Sequence, residues 1–142
     1  MNKGQSHACY SVSVLFVLFF YAACALAEPL KEGVKAFSNK DYGRAHELWL
    51  PLANQGNAHA QLYIGVLYRN GFGVELDQER AARWYEMAAN NGLADAQYET
   101  GLMYELGKGV KQDYWTAESW YQKAIEQDFC PGELSATGGL IP

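Results

Sequence analysis

Two of the three histidines, a short acidic run, two glycine-rich turns and two Trp-Tyr pairs are the features of this chain with the residue types to do chemistry. His46 and His59 could ligate a metal through their ring nitrogens, but their spacing follows no zinc-ligand pattern. Glu75, Asp77 and Glu79 gather three carboxylates. Acid–base work needs two carboxyls held in different environments, whereas Asp77 stands where a helix N-cap belongs and acidic residues at a helix start are favourable in themselves. No Ser, His and acid share a nucleophile context. The G-F-G-V turn at 71–74 and the G-K-G-V turn at 107–110 lack the six-residue glycine spacing and the Lys-Ser/Thr pair of a phosphate loop. Trp84-Tyr85 and Trp120-Tyr121 could stack on a flat ligand, yet beside Ala81 and Ala88 they sit at helical core spacing. The expectation is therefore no catalytic residue, no metal site and no cofactor.

What positions these residues is a repeat. Shifting the chain by 36 residues aligns Ala58–Leu93 with Ala94–Phe129 without a gap, and thirteen positions coincide. Among them are Gly65/Gly101, Tyr68/Tyr104, Gly71/Gly107, Gly73/Gly109, Asp77/Asp113, Ala81/Ala117, Trp84/Trp120 and Tyr85/Tyr121. A period of this length is the mark of a stacked architecture. In each copy Ala60, Ile64, Gly65 and Tyr68, or their counterparts, fall on one face of a first helix. Residues 70–76 form a turn in which Gly71 and Gly73 supply positive φ. Asp77 and Asp113 then cap a second helix that buries Ala81, Trp84, Tyr85, Ala88 and Ala89. Gly92 is the expected left-handed residue after that helix.

Upstream, Asp41, Ala45, Ala53 and Gly56 repeat Asp77, Ala81, Ala89 and Gly92, and Leu48-Trp49 stands where Trp84-Tyr85 stands. Leu30–Ser38 reads as a shortened first helix and Asn39-Lys40 as a tight turn. Pro51, inside the second helix of this copy, removes one backbone donor and predicts a bend.

The pattern A-x-A-Q-x-x-x-G-x-x-Y-x-x-G-x-G-V-x-x-D-x-x-x-A-x-x-W-Y-x-x-A resembles the Sel1-like repeat, a relative of the tetratricopeptide repeat. The resemblance covers Ala58–Phe129 fully and Leu30–Asn57 in part. It implies an all-α, right-handed α/α superhelical solenoid, here of about two and a half helical hairpins. It also implies an adaptor that holds other proteins on a concave face lined by first helices. On that face, opposite the core positions, stand Leu62, Tyr63 and Val66, and one period on Tyr98, Glu99 and Leu102, with Arg69 and Glu99 tuning charge. These positions either anchor a partner or pack against the next repeat.

The ends carry different signals. Residues 1–27 place Lys3 before an apolar run from Val12 to Ala23 and end in Ala25-Leu26-Ala27, the plan of a secretory signal peptide. Cleavage near Ala27 predicts a periplasmic or secreted protein. The alternative is a lipoprotein anchored at Cys24, since Tyr21-Ala22-Ala23-Cys24 resembles a lipidation box. A membrane partner is expected only with that lipid or a retained signal. Beyond residue 27 the chain carries ten basic and sixteen acidic residues, net −6, so no basic stripe favours nucleic acid. Cys130 alone remains and cannot form an internal disulfide.

The organisation is thus 1–27 signal peptide, 28–57 partial repeat, 58–93 and 94–129 full repeats, and 130–142 an irregular tail. Asp128 replaces the glycine expected there, and Gly132, Gly138 and Gly139 oppose a further long helix. Without a polar cap, Trp115, Trp120, Tyr121 and Ile125 are expected to lie partly uncovered. That end either meets the tail or a missing continuation of the chain, or is a sticky end for self-association or partner docking. The expected function is an exported protein–protein interaction scaffold without catalytic activity. The alternatives are a small envelope-associated hydrolase or cell-wall-active enzyme, and a truncated structural module.

Overall fold

The computed structural model describes residues 28–127. Those residues form six helices and no strand: α1 (28–38), α2 (Tyr42–Asn54), α3 (Ala58–Asn70), α4 (Gln78–Asn90), α5 (Ala94–Leu106) and α6 (Tyr114–Ile125). Consecutive helices pair as hairpins α1/α2, α3/α4 and α5/α6, and the hairpins join through α2 against α3 and α4 against α5. The chain is an all-α solenoid. The signal-peptide and lipidation readings, with Cys24, and the 130–142 tail, with Cys130, lie outside the described residues.

Local chemistry sets the helix ends. Asp41, Asp77 and Asp113 each accept a backbone N–H of the helix they open, from Arg44, Arg80 and the Trp115–Thr116 pair respectively. That satisfies donors with no partner inside the helix. Asn57 does the same for α3 through Ala60 N–H, whereas Leu93, one period later, leaves α5 without a side-chain cap. The first helices end on left-handed glycines, Gly71 at φ 68° and Gly107 at φ 64°. The N–H of Asp77 then bonds the Tyr68 carbonyl at 2.9 Å, and that of Asp113 the Tyr104 carbonyl at 3.0 Å. One elbow is therefore built twice.

The second glycine of the elbow, Gly73 in one copy and Gly109 in the next, does more than the sequence reading gives it. That reading gives it a turn conformation alone, and both residues do take positive φ, at 68° and 71°. The structure adds contact with the preceding hairpin. A Cβ on Gly73 would lie 2.8 Å from the Tyr42 backbone, so only glycine lets this turn rest on the first turn of α2. A Cβ on Gly109 would overlap the Gln78 carbonyl and come within 2.8 Å of the Glu79 nitrogen, so the later turn rests on the first turn of α4 in the same way. Gly109 is thus a stacking residue between hairpins as well as a turn residue within one. Beside Gly73, Phe72 stacks on Tyr42 with ring centroids 4.6 Å apart.

Inside each hairpin an aromatic ring lies flush on a helical glycine. A Cβ on Gly65 would come within 2.7 Å of the Tyr85 ring, and one on Gly101 within 2.6 Å of the Tyr121 ring. Burial of the ring offsets the roughly 1 kcal/mol that a helical glycine costs. Gly33 meets Trp49 in the same way. The 36-residue shift hides that third instance, because the turn at Asn39-Lys40, where Lys40 takes φ 62°, is shorter than the later elbows. The partial first repeat is thus a hairpin with a tighter turn. Pro51 sits within α2 without ending it.

The glutamines of A-x-A-Q clamp one hairpin to the next. Buried Gln61 donates to the Ala53 carbonyl at 3.0 Å and accepts from Asn91 at 2.8 Å. Gln97 donates to the Ala89 carbonyl at 3.3 Å and accepts from Gln127 at 2.8 Å. Each amide thereby adds a donor from the next hairpin to a carbonyl at the end of the preceding second helix, which also accepts the N–H of Gly56 or Gly92.

Candidate interaction surface

The predicted binding positions divide between interior and surface. Leu62 and Val66 are buried, at 6% and 2% exposure, in a cluster with Tyr85, Ala89, Ala96 and Met103. Their place is the packing between repeats. Glu99 is buried there too, and Arg69 Nη1 donates to its Oε2 across the α3–α5 junction. The Arg69 guanidinium also lies 5.6 Å from the centre of the Tyr85 ring. A buried pair of this kind fixes how two elements meet more than it adds net stability.

Tyr63, Arg69, Tyr98 and Leu102 keep partial exposure. Tyr63 packs on Trp49 with centroids 4.7 Å apart, and Tyr98 on Tyr121 at 5.4 Å. The side of α3 and α5 bearing Tyr63 also carries His59 and Asp95, close enough to interact. Burial raises the Asp95 carboxyl, with His59 opposing, and raises the Tyr63 phenol with help from Asp95. Burial likewise holds Glu99 above its ordinary value, while Arg69 pulls it down.

The repeat residues pack as the spacing predicts, with differences of degree. Ala60, Ile64, Gly65, Ala81, Tyr85, Ala88 and Ala89 are buried, whereas Tyr68 and Trp84 are only partly so. Tyr68 leaves one face to Arg80, whose guanidinium lies 5.5 Å from the ring centre. Trp120 carries the Lys123 ammonium 3.9 Å from its ring centre.

The residues with catalytic types remain apart. His46 is half-buried against the Tyr68 ring, and burial lowers its pKa. His59 is exposed on a different helix. Asp77 caps α4 and pairs with Arg80 at 3.2 Å, while Glu79 faces Arg83 at 3.6 Å. Among the described residues no three His, Cys, Asp or Glu side chains converge on a metal position. No described helix is long and apolar enough to cross a membrane.

Phenol–carboxylate bonds tie the last hairpin to the one before it and close it on itself. Tyr104 donates to Glu86 at 2.7 Å, which with burial pushes its pKa up to about 12. Tyr121 donates to Glu105 at 2.6 Å, and burial and that bond raise it as well. Beyond Tyr121, an open cleft of about 410 Å³ runs between α5 and α6, lined by Tyr98, Leu102, Glu105, Glu118 and Ile125 among others. Around this end Trp115 is 87% and Ile125 58% exposed. The sequence pointed to both, but to neither the cleft nor its acidic rim.

Comparison with known proteins agrees with this geometry. The Sel1 repeat matches residues 20–57, 58–93 and 94–129. A Sel1 repeat protein from Oxalobacter formigenes superposes with a TM-score of 0.69 at 38% identity, over 75% of this chain and 44% of that one. A protective antigen of uropathogenic Escherichia coli with an SLR fold gives a TM-score of 0.69 at 31% identity, over 73% of this chain and 23% of that one. In Arabidopsis thaliana, the ERAD-associated E3 ubiquitin-protein ligase components HRD3A and HRD3B are 46% and 49% identical over 55 and 47 residues. Those segments cover 37% and 33% of this chain and only 8% of each plant protein.

Proposed function

This chain belongs to the Sel1 repeat family, and from that premise we propose that it is an exported scaffold that binds other proteins and does no chemistry of its own. The observation that carries the reading is how the repeat residues are used. Glycine, alanine, glutamine and the ring on each glycine are consumed in stacking. On the first helices Tyr63, Arg69, Tyr98 and Leu102 keep partial exposure while also packing, Arg69 against Glu99 and the two tyrosines against Trp49 and Tyr121. Tyrosine, arginine and leucine on a rigid frame suit protein contacts, because ordering them on binding costs little entropy. The plant relatives are named as ERAD-associated E3 ubiquitin-protein ligase components, which is in keeping with a repeat that joins proteins. Export rests on Lys3, the apolar run and the Ala25-Leu26-Ala27 box.

The test is site-specific photo-crosslinking in cells from position 63 and, separately, from exposed Glu118. Reproducible adducts at either position, with the mature N-terminus found at residue 28 by mass spectrometry, support the proposal. Absence of any adduct from both positions overturns the scaffold reading. An intact Met1 on protein that stays in the cytosol overturns export.

A further inference from the structure

The cleft between α5 and α6 has an internal template. One period earlier, Leu62, Val66, Tyr85 and Ala89 stand where Tyr98, Leu102, Tyr121 and Ile125 stand in the cleft. In the earlier copy those positions are buried, and the helix that fills the groove is α5, through Ala96 and Met103. The cleft is that docking groove repeated once more, with Ile125 at 58% exposure where Ala89 has 2%.

Its charge is inverted. The filled groove carries Arg69, which pairs with Glu99 of the entering helix. The cleft carries Glu105 at the position of Arg69 and Glu118 at that of Ala82. A helix seated as α5 is seated would bring its residue 99 position towards a carboxylate, where a cation is favoured and an acid opposed.

We propose that this cleft docks one helix of a partner protein. That helix carries a small residue, a lysine or arginine three positions on, and a methionine or leucine four positions after that, the spacing of Ala96, Glu99 and Met103 with the charge reversed. Residues 128–142 of this chain contain no Lys, Arg or His, and one period beyond Ala96, Glu99 and Met103 stand Gly132, Ser135 and Gly139. The inference deepens the scaffold reading and rests on it.

The full chain is titrated with three lactam-bridged peptides of the α5 sequence, residues 94–106: unaltered, Glu99→Lys, and a control of equal net charge with the lysine at position 105. The control residue faces away from the groove that α5 fills. Binding is followed by fluorescence anisotropy of labelled peptide. The Glu99→Lys peptide should bind at least about fivefold more tightly than both others, the scale of one partly exposed ion pair. Replacing Glu105 of the protein by Lys should reverse that order. Should this variant lose its helical circular dichroism, exposed Glu118→Lys should still narrow the preference. Equal affinities, or no binding of any peptide at ~1 mM, overturn the proposal. So does a concentration-dependent dimer that the Glu99→Lys peptide fails to dissociate, which assigns the cleft to a second copy. Absence of crosslinked partners with peptide selectivity intact would fail the scaffold reading alone. Abundant adducts without selectivity would fail only the cleft.

Discussion

The junction between the second and third hairpins and the face that the third presents beyond it are built from matching residues one period apart, and among the described residues only the first is filled. At the junction, α3 is buried on nearly every side: Ala60, Gln61, Leu62, Ile64, Gly65, Val66 and Leu67 are all interior. At the far face, α6 buries only Ala117 and Ala124. The same Trp-Tyr-x-x-Ala motif therefore does different physical work in the two places. Tyr85 is sealed at 0% exposure, while Tyr121 remains partly open and is steadied by Glu105. A repeat motif specifies how a hairpin closes on itself. Whether its outer side is core or surface depends on the next hairpin.

The largest break between the two regions should come from removing the rings. Tyr85→Ala leaves a cavity walled by α3, α4 and α5 and should cost about 4 kcal/mol. Tyr121→Ala opens onto the cleft and should cost about 1–2 kcal/mol, since solvent and neighbours can occupy the space. Urea denaturation of both variants measures the difference, and equal losses would mean that the outer face is as closed as the inner one.

Adding a methyl group probes the same contrast from the other side. Gly65→Ala drives a Cβ to within 2.7 Å of a ring that cannot move, and should destabilise by about 1–2 kcal/mol despite the gain in helix propensity. Gly101→Ala meets a ring that is open on its outer side but also the Ala117 carbonyl at 3.1 Å, and should destabilise less than Gly65→Ala, by about 0.5–1 kcal/mol. Thermal melts of the pair give the ordering.

Deleting one oxygen should separate the regions by sign. The Tyr85 hydroxyl has no hydrogen-bond partner among the described residues: Arg69, its guanidinium 5.6 Å from the Tyr85 ring centre, stands at the repeat position of Glu105, which accepts from Tyr121. Tyr85→Phe should be neutral or stabilise by up to about 1 kcal/mol, whereas Tyr121→Phe should cost about 0.5–1 kcal/mol. Matching losses would contradict the difference in partners.

The smallest effect is a pH slope confined to the filled junction. Burial raises the Glu99 pKa in the folded state above its ordinary 4.5, so the fold holds that proton more tightly than the unfolded chain does. Stability should then fall as pH rises from about 4.5 through the raised folded value, and recover as pH is lowered again. Glu99→Gln should flatten this part of the melting-temperature profile. Asp95, shifted in the same direction, keeps a residual slope.

Much of the architecture was legible because it depends on contacts repeated at fixed spacing. The elbow glycines, the aspartate caps and the alanine–aromatic stripe all act within one hairpin, so a 36-residue shift exposes them directly. The second duty of Gly73 and Gly109 was hidden, because the backbone each one rests on belongs to the hairpin before it. Gly33 escaped because its partner Trp49 is reached through a shorter turn, which breaks the register while keeping the contact. Gln61 and Gln97 showed as matches, but their task of closing the carbonyls of Ala53 and Ala89 needed coordinates. Of the face assigned to binding, Leu62, Val66 and Glu99 are interior, and the partly exposed Tyr63, Arg69, Tyr98 and Leu102 remain candidates.

The sequence by itself determined the hairpin, its length, its caps and the order in which hairpins follow, because short-range sterics and hydrogen bonding act between residues whose separation along the chain is fixed. Only the tertiary structure decided which copy of a repeated position is sealed and which is open. Burial depends on what lies alongside, and two identical stretches of chain can have different neighbours.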